Sequence, residues 1–383
     1  KTSVSTFARM IWQEMGKRAV NLGTTGVEGS WTAPLNHTTP EPITLHRTLN
    51  EAAMNGITHA AMEASSHGLA QHRLDGVALA AAGLTNITRD HMDYHKSMHA
   101  YADAKRELFY MRGLRAAVLN CDDDFGCMLA LELADHLPIY GYGFSDDMQP
   151  NMVVRVKGQN LQLDAQGLRF SVSSGGQKFD LRSPLLGRFN ADNLLAVITT
   201  LLVLGMPLSE AVELAHGLQA VPGRMQLIER TGAANVVVDY AHTPQALAAA
   251  LQSLRLHIAS AGQLICVFGC GGERDKGKRA LMGSAAAKYA DRLIITNDNP
   301  RSEKPEAIAA DILTGIAQRE CVQLELDRCK AIRMALDLAN ANDVVLIAGK
   351  GHEDYQIIGE QRFEFSDVAE VARYTQAATG VQA

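Results

Sequence analysis

The sequence predicts an α/β protein of two domains, a central one with a parallel sheet plus an antiparallel hairpin region, and a doubly wound one after it. Three observations predict this. Helical and strand periods alternate almost throughout the 383 residues, as they do when strands are joined by helical crossovers. Between residues 152 and 184 the pattern changes to short alternating runs separated by Gly-containing turns, the signal of antiparallel hairpins. Beyond Pro222-Gly223, which reads as the linker, the alternation restarts. The expected domains are therefore 1–222 and 223–383, within the two or three that about 150 residues per domain allows.

In chain order, residues 4–17 and 45–55 carry the helical period. Residues 57–63, 77–87 and 116–120 are apolar runs of strand type, with a helix over 99–111 between the last two. Val153-Val154-Arg155-Val156, Leu161-Gln162-Leu163 and Leu168-Arg169-Phe170-Ser171-Val172 supply the hairpin strands. A long helix follows from Ala191 and a short one over 209–218. Five further strands, 236–239, 264–269, 292–296, 322–326 and 344–348, alternate with helical stretches. That makes the second domain Rossmann-like.

Composition narrows the function. With 36 Lys+Arg against 42 Asp+Glu the net charge is −6, so the chain lacks the footprint for wrapping nucleic acid or lying on an anionic membrane. The longest apolar stretch, 194–204, is too short to cross a bilayer, and no charged-then-apolar leader opens the chain. Cys266-x3-Cys270 has no matching second pair among six cysteines, which favours buried thiols in a reducing cytoplasm over zinc. The chain opens on Lys1 rather than Met and reads as a fragment whose N-terminus lies upstream.

Polar clusters stand where the strands end. They are Glu63-Ala64-Ser65-Ser66-His67, the run from Thr85 through Arg89-Asp90-His91-Met92-Asp93-Tyr94-His95, Asp239-Tyr240-Ala241-His242-Thr243-Pro244, Gly269 through Arg279, Asp298-Asn299-Pro300-Arg301, and Gly349-Lys350-Gly351-His352-Glu353. Any one of them reads equally as a capped helix or a solvated loop. Five or six at the carboxyl edges of strands, where open α/β sheets bind ligands, point to an enzyme. Glu63, His91 and Asp93 are hard-ligand candidates for Mg²⁺. Lys1-Thr2-Ser3 opens directly into a helix, as the tail of a phosphate-binding Gly-x-x-x-x-Gly-Lys-Ser/Thr loop does, although the glycines are absent.

These clusters, in this order and across essentially the whole chain, resemble the Mur ligases, and most nearly their diaminopimelate-adding MurE type. The resemblance implies a P-loop-type central domain lacking its first strand and loop glycines, a C-terminal acceptor domain, and no N-terminal uridine-nucleotide domain. It implies ATP-driven formation of an acyl phosphate and attack by a free amine, with Mg²⁺ and Lys neutralising the two anions. By position, Lys1, Thr2 and Ser3 would close the phosphate loop. Thr2, Glu63, His91 and Lys105 would hold Mg²⁺, Lys105 as a CO2-derived carbamate. Lys1, Lys105 and His91 would be the catalytic groups. Asn190, Asn193, Arg224 and Asp239 would contact ATP, although Asn190 reads equally as a helix cap. Thr38, Thr39, Ser65, Gln71 and Arg73 would contact the UDP-muramoyl dipeptide. Arg274, Asp298, Asn299, Pro300, Arg301, Gly349 and Glu353 would receive meso-diaminopimelate, with Arg301 clamping the carboxylate that distinguishes it from lysine.

The expected protein is thus a cytoplasmic, monomeric amide ligase of peptidoglycan precursor synthesis, acting on small molecules without nucleic acid or membrane insertion. The stretch supplied is expected to be poorly active without the upstream phosphate loop. Lysine or another amino acid as acceptor, and a non-catalytic paralogue that lost its phosphate loop, are the competing readings. Glu273 and Asn297 depart from the family pattern, which has Asp at each.

Overall fold

A computed structural model of the chain describes residues 1–88, 92–146, 152–164, 166–258 and 261–380. Two compact units result, one of Lys1–Gln162, Leu168–Ser183 and Phe189–Gln219, the other of Leu163–Gly167, Pro184–Arg188 and Ala220–Ala383.

The first unit opens with α1 (Thr2–Glu14), which buries Phe7, Ala8, Ile11 and Trp12 on one face and stops at Gly16, whose φ of 73° ends the helix. Strands β1 (Ala19–Gly23) and β2 (Gly26–Gly29) form an antiparallel pair. Helix α2 (Pro42–Met54), started by proline in its first turn, leads to β3 (His59–Met62), which pairs parallel with β1. Helix α3 (Ser66–Ala70) is capped by Ser65. Then come β4 (Ala81–Leu84), α4 (Met92–His95), α5 (Met98–Arg106), β5 (Ala116–Asn120), α6 (Asp124–Leu133) and β6 (Ile139–Gly143). Strands β7 (Val154–Asp164), β8 (Gly167–Ser174) and β9 (Gln177–Ser183) follow, then α7 (Arg188–Val203) and α8 (Leu208–His216). Strands β4, β5, β6 and β7 run parallel in one six-stranded sheet that β8 and β9 complete. The hairpin region is therefore not a separate layer; β7 bonds to β6 and carries the antiparallel part on from the parallel part.

Several boundaries differ from expectation. The apolar run 77–87 is strand only over 81–84; residues 78–80 instead line a cavity of about 650 Å³. That cavity is also lined by β3, the edge of the three-stranded sheet, and by β4, the edge of the six-stranded one. The helix expected over 99–111 is α5 followed by a tighter 3-10 turn at Glu107–Tyr110. Helix α7 starts at Arg188, three residues before Ala191, so Asn190 sits inside its first turn and is not its cap.

The second unit holds β10 (Gln226–Ile228), β11 (Asn235–Asp239), α9 (Pro244–Arg255), β12 (Leu264–Phe268), α10 (Gly277–Tyr289), β13 (Arg292–Ile295), α11 (Pro305–Leu313), β14 (Val322–Leu324), α12 (Arg328–Leu338) and β15 (Val344–Ala348). The sheet order is β10-β11-β15-β12-β13-β14, parallel but for β10. Because β15 returns between β11 and β12, the loops after β11, β15, β12 and β13 emerge from adjacent strand ends, where doubly wound sheets bind ligands. A hairpin of β16 (Tyr355–Ile358) and β17 (Gln361–Glu364) and helix α13 (Asp367–Gly380) complete the unit. The interiors of β11, β12, β13 and β15 are continuous apolar runs, as strands covered on both faces require, whereas the edge strand β14 is exposed. Cys266 and Cys270 are buried, the latter beside Met282 and its thiol pushed up to about 12 by burial, consistent with inert packing. Among the described residues no helix is long and apolar enough to cross a membrane.

One ion pair bolts this sheet. Arg328, fully buried, makes a two-pronged contact with Asp367 (2.7 and 2.8 Å) and donates to the carbonyls of Asn297 and Ala348, each at 3.1 Å. It thereby ties α13 to the chain just past β13 and to the end of β15. Removing one charge from such a pair strands the other in a low dielectric. Asp367→Asn is expected to destabilise the second unit by about 3–5 kcal/mol, read as an earlier denaturant transition with the first unit's transition unmoved.

Candidate active site

In the first unit some of the expected residues lie together at the end of β3. Glu63 is buried, and its Oε1 accepts from Thr2 Oγ1 at 2.9 Å and from the Thr24 backbone N–H at 3.2 Å. This closeness depends on Gly23, where a Cβ would stand 2.1 Å from Glu63 Oε1. Lys1, at the N-cap of α1, lines the 650 Å³ cavity together with Glu63 and Lys105. Lys105 is buried on α5, its Nζ 5.7 Å from the centre of the Tyr101 ring. Ser3 lies in the first turn of α1. His91 falls outside the described residues, as does the side chain of Asp93.

Around Glu63 the residues expected to contact the muramoyl dipeptide form one connected network. Thr39 Oγ1 donates to the Glu63 carbonyl (2.8 Å) and accepts from the Ser65 N–H (2.9 Å). Thr38 shares a hydrogen bond with Thr24 at 3.0 Å. Ser65 Oγ accepts from the Gly68 N–H, capping α3. Arg73 donates to the Thr39 carbonyl (2.6 Å) and, through two nitrogens, to Gln71 Oε1 (2.9 and 2.6 Å). On α7, Asn193 donates to buried Asn190 at 3.0 Å.

The structure also tests a cation here. A hydroxyl and a buried carboxylate in contact are hard oxygen donors, and Mg²⁺ needs only one or two carboxylates when substrate phosphates and waters complete its shell. The Thr2–Glu63 pair fits that requirement. Among the described residues no group of three or more His, Cys, Asp or Glu could hold a metal by itself.

In the second unit, Asp239 ends β11 and accepts from the backbone N–H of Met225 (2.8 Å) and of Ala241 (2.9 Å). Burial raises its pKa, opposed by the Met225 N–H and the nearby Arg224. Arg224 stacks over Tyr240, 4.7 Å from the ring centre. Burial likewise lowers the pKa of His242.

The acceptor signature is drawn together more tightly. Asp298 and Asn299 are buried, and Asn299 Nδ2 donates to Glu353 Oε2 at 3.1 Å. Arg301 holds a φ of 49° and donates through Nη1 to the Gly272 carbonyl at 2.7 Å. Its backbone is bracketed by β16 and the turn after it, its N–H donating to Ile357 and its carbonyl accepting from Gly359. A Cβ on Gly349 would lie 2.9 Å from Asp298 Oδ2. Arg274 is exposed on the loop after β12.

Two arginines and a lysine here were not singled out from sequence. Arg279, fully buried, holds Glu303 (3.0 Å) and Asp311 (2.9 Å) and donates to the Gly271 carbonyl, fixing the loop that carries Arg274. The Glu303 carboxyl is pulled down to about 2 by Arg279 and by the Glu273 N–H. Arg328 donates to the carbonyls of Asn297 and Ala348, one residue before Asp298 and Gly349 of the acceptor site. Lys350, within the Gly349-Lys350-Gly351-His352-Glu353 run, lies at the centre of the acceptor network. Only a Glu three residues on hinted at it.

Comparison with known proteins agrees in both units. The family model of the Mur ligase middle domain matches residues 1–201, and that of the Mur ligase glutamate ligase domain matches residues 223–351. The UDP-N-acetylmuramoyl-L-alanyl-D-glutamate–2,6-diaminopimelate ligase of Neisseria meningitidis serogroup A is 44% identical over 96% of this chain and 74% of its own length. That of Coxiella burnetii is 43% identical over 97% and 76%. A solved structure of a ligase with the same name superposes with a TM-score of 0.70 at 38% identity, over 99% of this chain and 77% of the other. MurF from Acinetobacter baumannii, 15% identical with a TM-score of 0.67 over 98% and 74%, shares the fold. The chain belongs to the Mur ligase family, among its diaminopimelate-adding members.

Proposed function

We propose that the protein joins meso-diaminopimelate to UDP-MurNAc-L-Ala-D-Glu at the expense of ATP, in peptidoglycan precursor synthesis. A carboxylate is a poor electrophile. Transfer of the ATP γ-phosphoryl group to the terminal D-Glu carboxylate makes an acyl phosphate, and the acceptor amine displaces phosphate to form the amide, losing a proton. Charge neutralisation and positioning carry most of such a reaction.

Each group of residues then has a task. Lys1, with Thr2 and Ser3 at the start of α1, faces the transferred phosphoryl group. Glu63 and Thr2 would hold Mg²⁺, with His91 and with Lys105 as the carbamate formed when its neutral amine adds CO2 and loses a proton; the ion would supply charge neutralisation. Thr38, Thr39, Ser65, Gln71 and Arg73 bind the muramoyl dipeptide. Asn190, Asn193, Arg224 and Asp239 meet the nucleotide. The second unit takes the acceptor at Asp298, Asn299, Arg301, Gly349 and Glu353, with Pro300 setting the turn and Arg274 adding a cation. On this reading the protein works as a monomer in the cytoplasm, the compartment that holds nucleotide substrates.

The observation that carries this reading is the acceptor network itself, where residues from the ends of β13 and β15 meet within hydrogen-bond distance. Acceptor-dependent phosphate release by the purified full-length enzyme, phosphate loop included, tests it. Release is expected to be faster with meso-diaminopimelate than with lysine; equal rates would remove the role given to Arg301.

A further inference from the structure

We infer that Lys350 is the positioning residue of the acceptor site, holding Asn299 and Glu353 for the distal end of the incoming amino acid; this rests on the acceptor reading above. Lysine normally keeps its ammonium in water while only its stem is covered. Here the side chain is fully buried. The flanking glycines make that possible. Gly349 and Gly351 have φ of 113° and 55°, and a Cβ on either would stand within 3.0 Å of a neighbour, Asp298 Oδ2 for the first and Gly223 O for the second. The chain thus turns twice around Lys350 and sends it inward.

A buried ammonium must be paired and hydrogen-bonded. Its Nζ donates to Asn299 Oδ1 and to Glu353 Oε2, each at 3.1 Å, stands 3.7 Å from Asp298 Oδ1, and lies 5.4 Å from the centre of the Tyr355 ring. Because Lys350 can only donate, the oxygen of Asn299 must face it. The same oxygen accepts from the Ile357 N–H at 3.0 Å. The Asn299 amide is thereby locked with its NH2 toward Glu353. Both of these bonds to Glu353 fall on Oε2, so its orientation is fixed from one side.

The charges give this arrangement a chemical consequence. Asp298 and Glu353 bring two negative charges and Lys350 one positive, leaving a surplus of −1 among these three, with Glu353 only half-buried and so open to a ligand. That surplus suits one ammonium. An amino acid whose distal end carries an ammonium completes the cluster, and Arg301 beside it accommodates a carboxylate. Without Lys350 the two carboxylates repel each other and the Asn299 amide loses its anchor.

Steady-state kinetics of the whole protein decide this. Lys350→Met is expected to raise KM for meso-diaminopimelate about 10–100-fold, the worth of lost hydrogen bonds to a charged group. KM for ATP should stay within about twofold, a split that a merely structural loss does not produce. Lys350→Arg keeps the charge but not the point-like geometry, and should raise the acceptor KM by roughly 3–10-fold. Should the Met variant not fold, the Arg variant alone decides. An unchanged acceptor KM in a folded variant, or equal losses toward ATP and acceptor, overturns the role. Lysine also carries a distal ammonium, so if the unmodified protein prefers it, Arg301 loses its role and the Lys350 effect is read with lysine. A preference for an acceptor without a distal ammonium overturns both.

Discussion

Glu63→Gln is expected to lower kcat for phosphate release by about 10²–10³-fold, on the scale of losing one preorganised electrostatic contact to the developing charge. The substitution is chosen to spare the fold. A glutamine keeps the shape of the side chain, and its carbonyl oxygen still accepts from Thr2 Oγ1 and the Thr24 N–H, the two bonds that fix Glu63. What disappears is the full negative charge. If Glu63 served only to cap the turn at Thr24 and tether α1, the variant would behave like the parent in both stability and rate. If it holds a cation between phosphates, kcat falls while the melting temperature barely moves. Gly23→Ala approaches the same point differently, since a Cβ 2.1 Å from Glu63 Oε1 must displace the carboxylate without removing its charge. An unchanged kcat in folded Glu63→Gln would reduce the carboxylate to a structural role.

How much of this was legible before the fold? The five parallel strands of the second unit were, four of them because strands covered on both faces are unbroken apolar runs, and the exposed edge strand β14 because the alternation of strand and helix calls for one there. So were the polar clusters at their ends. Strand β1 was missed: Ala19-Val20-Asn21-Leu22-Gly23 is short, and Asn21 interrupts its apolar character by bonding Arg9 and Glu28. Strand β6, Ile139-Tyr140-Gly141-Tyr142-Gly143, hides behind its glycines. The run 77–87 was overextended because apolar residues that line a cavity look the same in sequence as apolar residues in a strand.

Side-chain roles divide along similar lines. A residue whose partner is local can be read, as Ser65 capping Gly68 can. Lys350 could not, since its buried ammonium is satisfied by Asp298 and Asn299 about fifty residues away in sequence. A solvated lysine and a buried one differ only in what the sheet brings beside them. Arg328 and Asp367, 39 residues apart, are the same case.

Arg301→Gln is expected to cut the preference for meso-diaminopimelate over lysine, as a ratio of kcat/KM values, by about 10²–10⁴-fold. The two amino acids differ by one carboxylate at the far end, so only a group that meets that carboxylate can tell them apart. Two charge-assisted hydrogen bonds from a guanidinium fork are of the right size. The structure holds Arg301 as such a group would need to be held. Its positive φ is tolerated because β16 and the turn after it bracket its backbone, and its Nη1 is pinned to the Gly272 carbonyl. Gly271 and Gly272 permit this contact, since a Cβ on the first would crowd Arg301 Nη1 at 3.2 Å and on the second would strike the Pro300 carbonyl at 1.9 Å. Preorganisation of this kind means the carboxylate is met without reordering a long side chain, whereas lysine leaves the fork without its anion. The variant should therefore lose most of its rate with meso-diaminopimelate and little with lysine. Arg301→Lys should not rescue it, because an ammonium lacks the planar fork. If the preference survives in folded Arg301→Gln, the carboxylate is read elsewhere, and Arg274 on the neighbouring loop becomes the residue to replace.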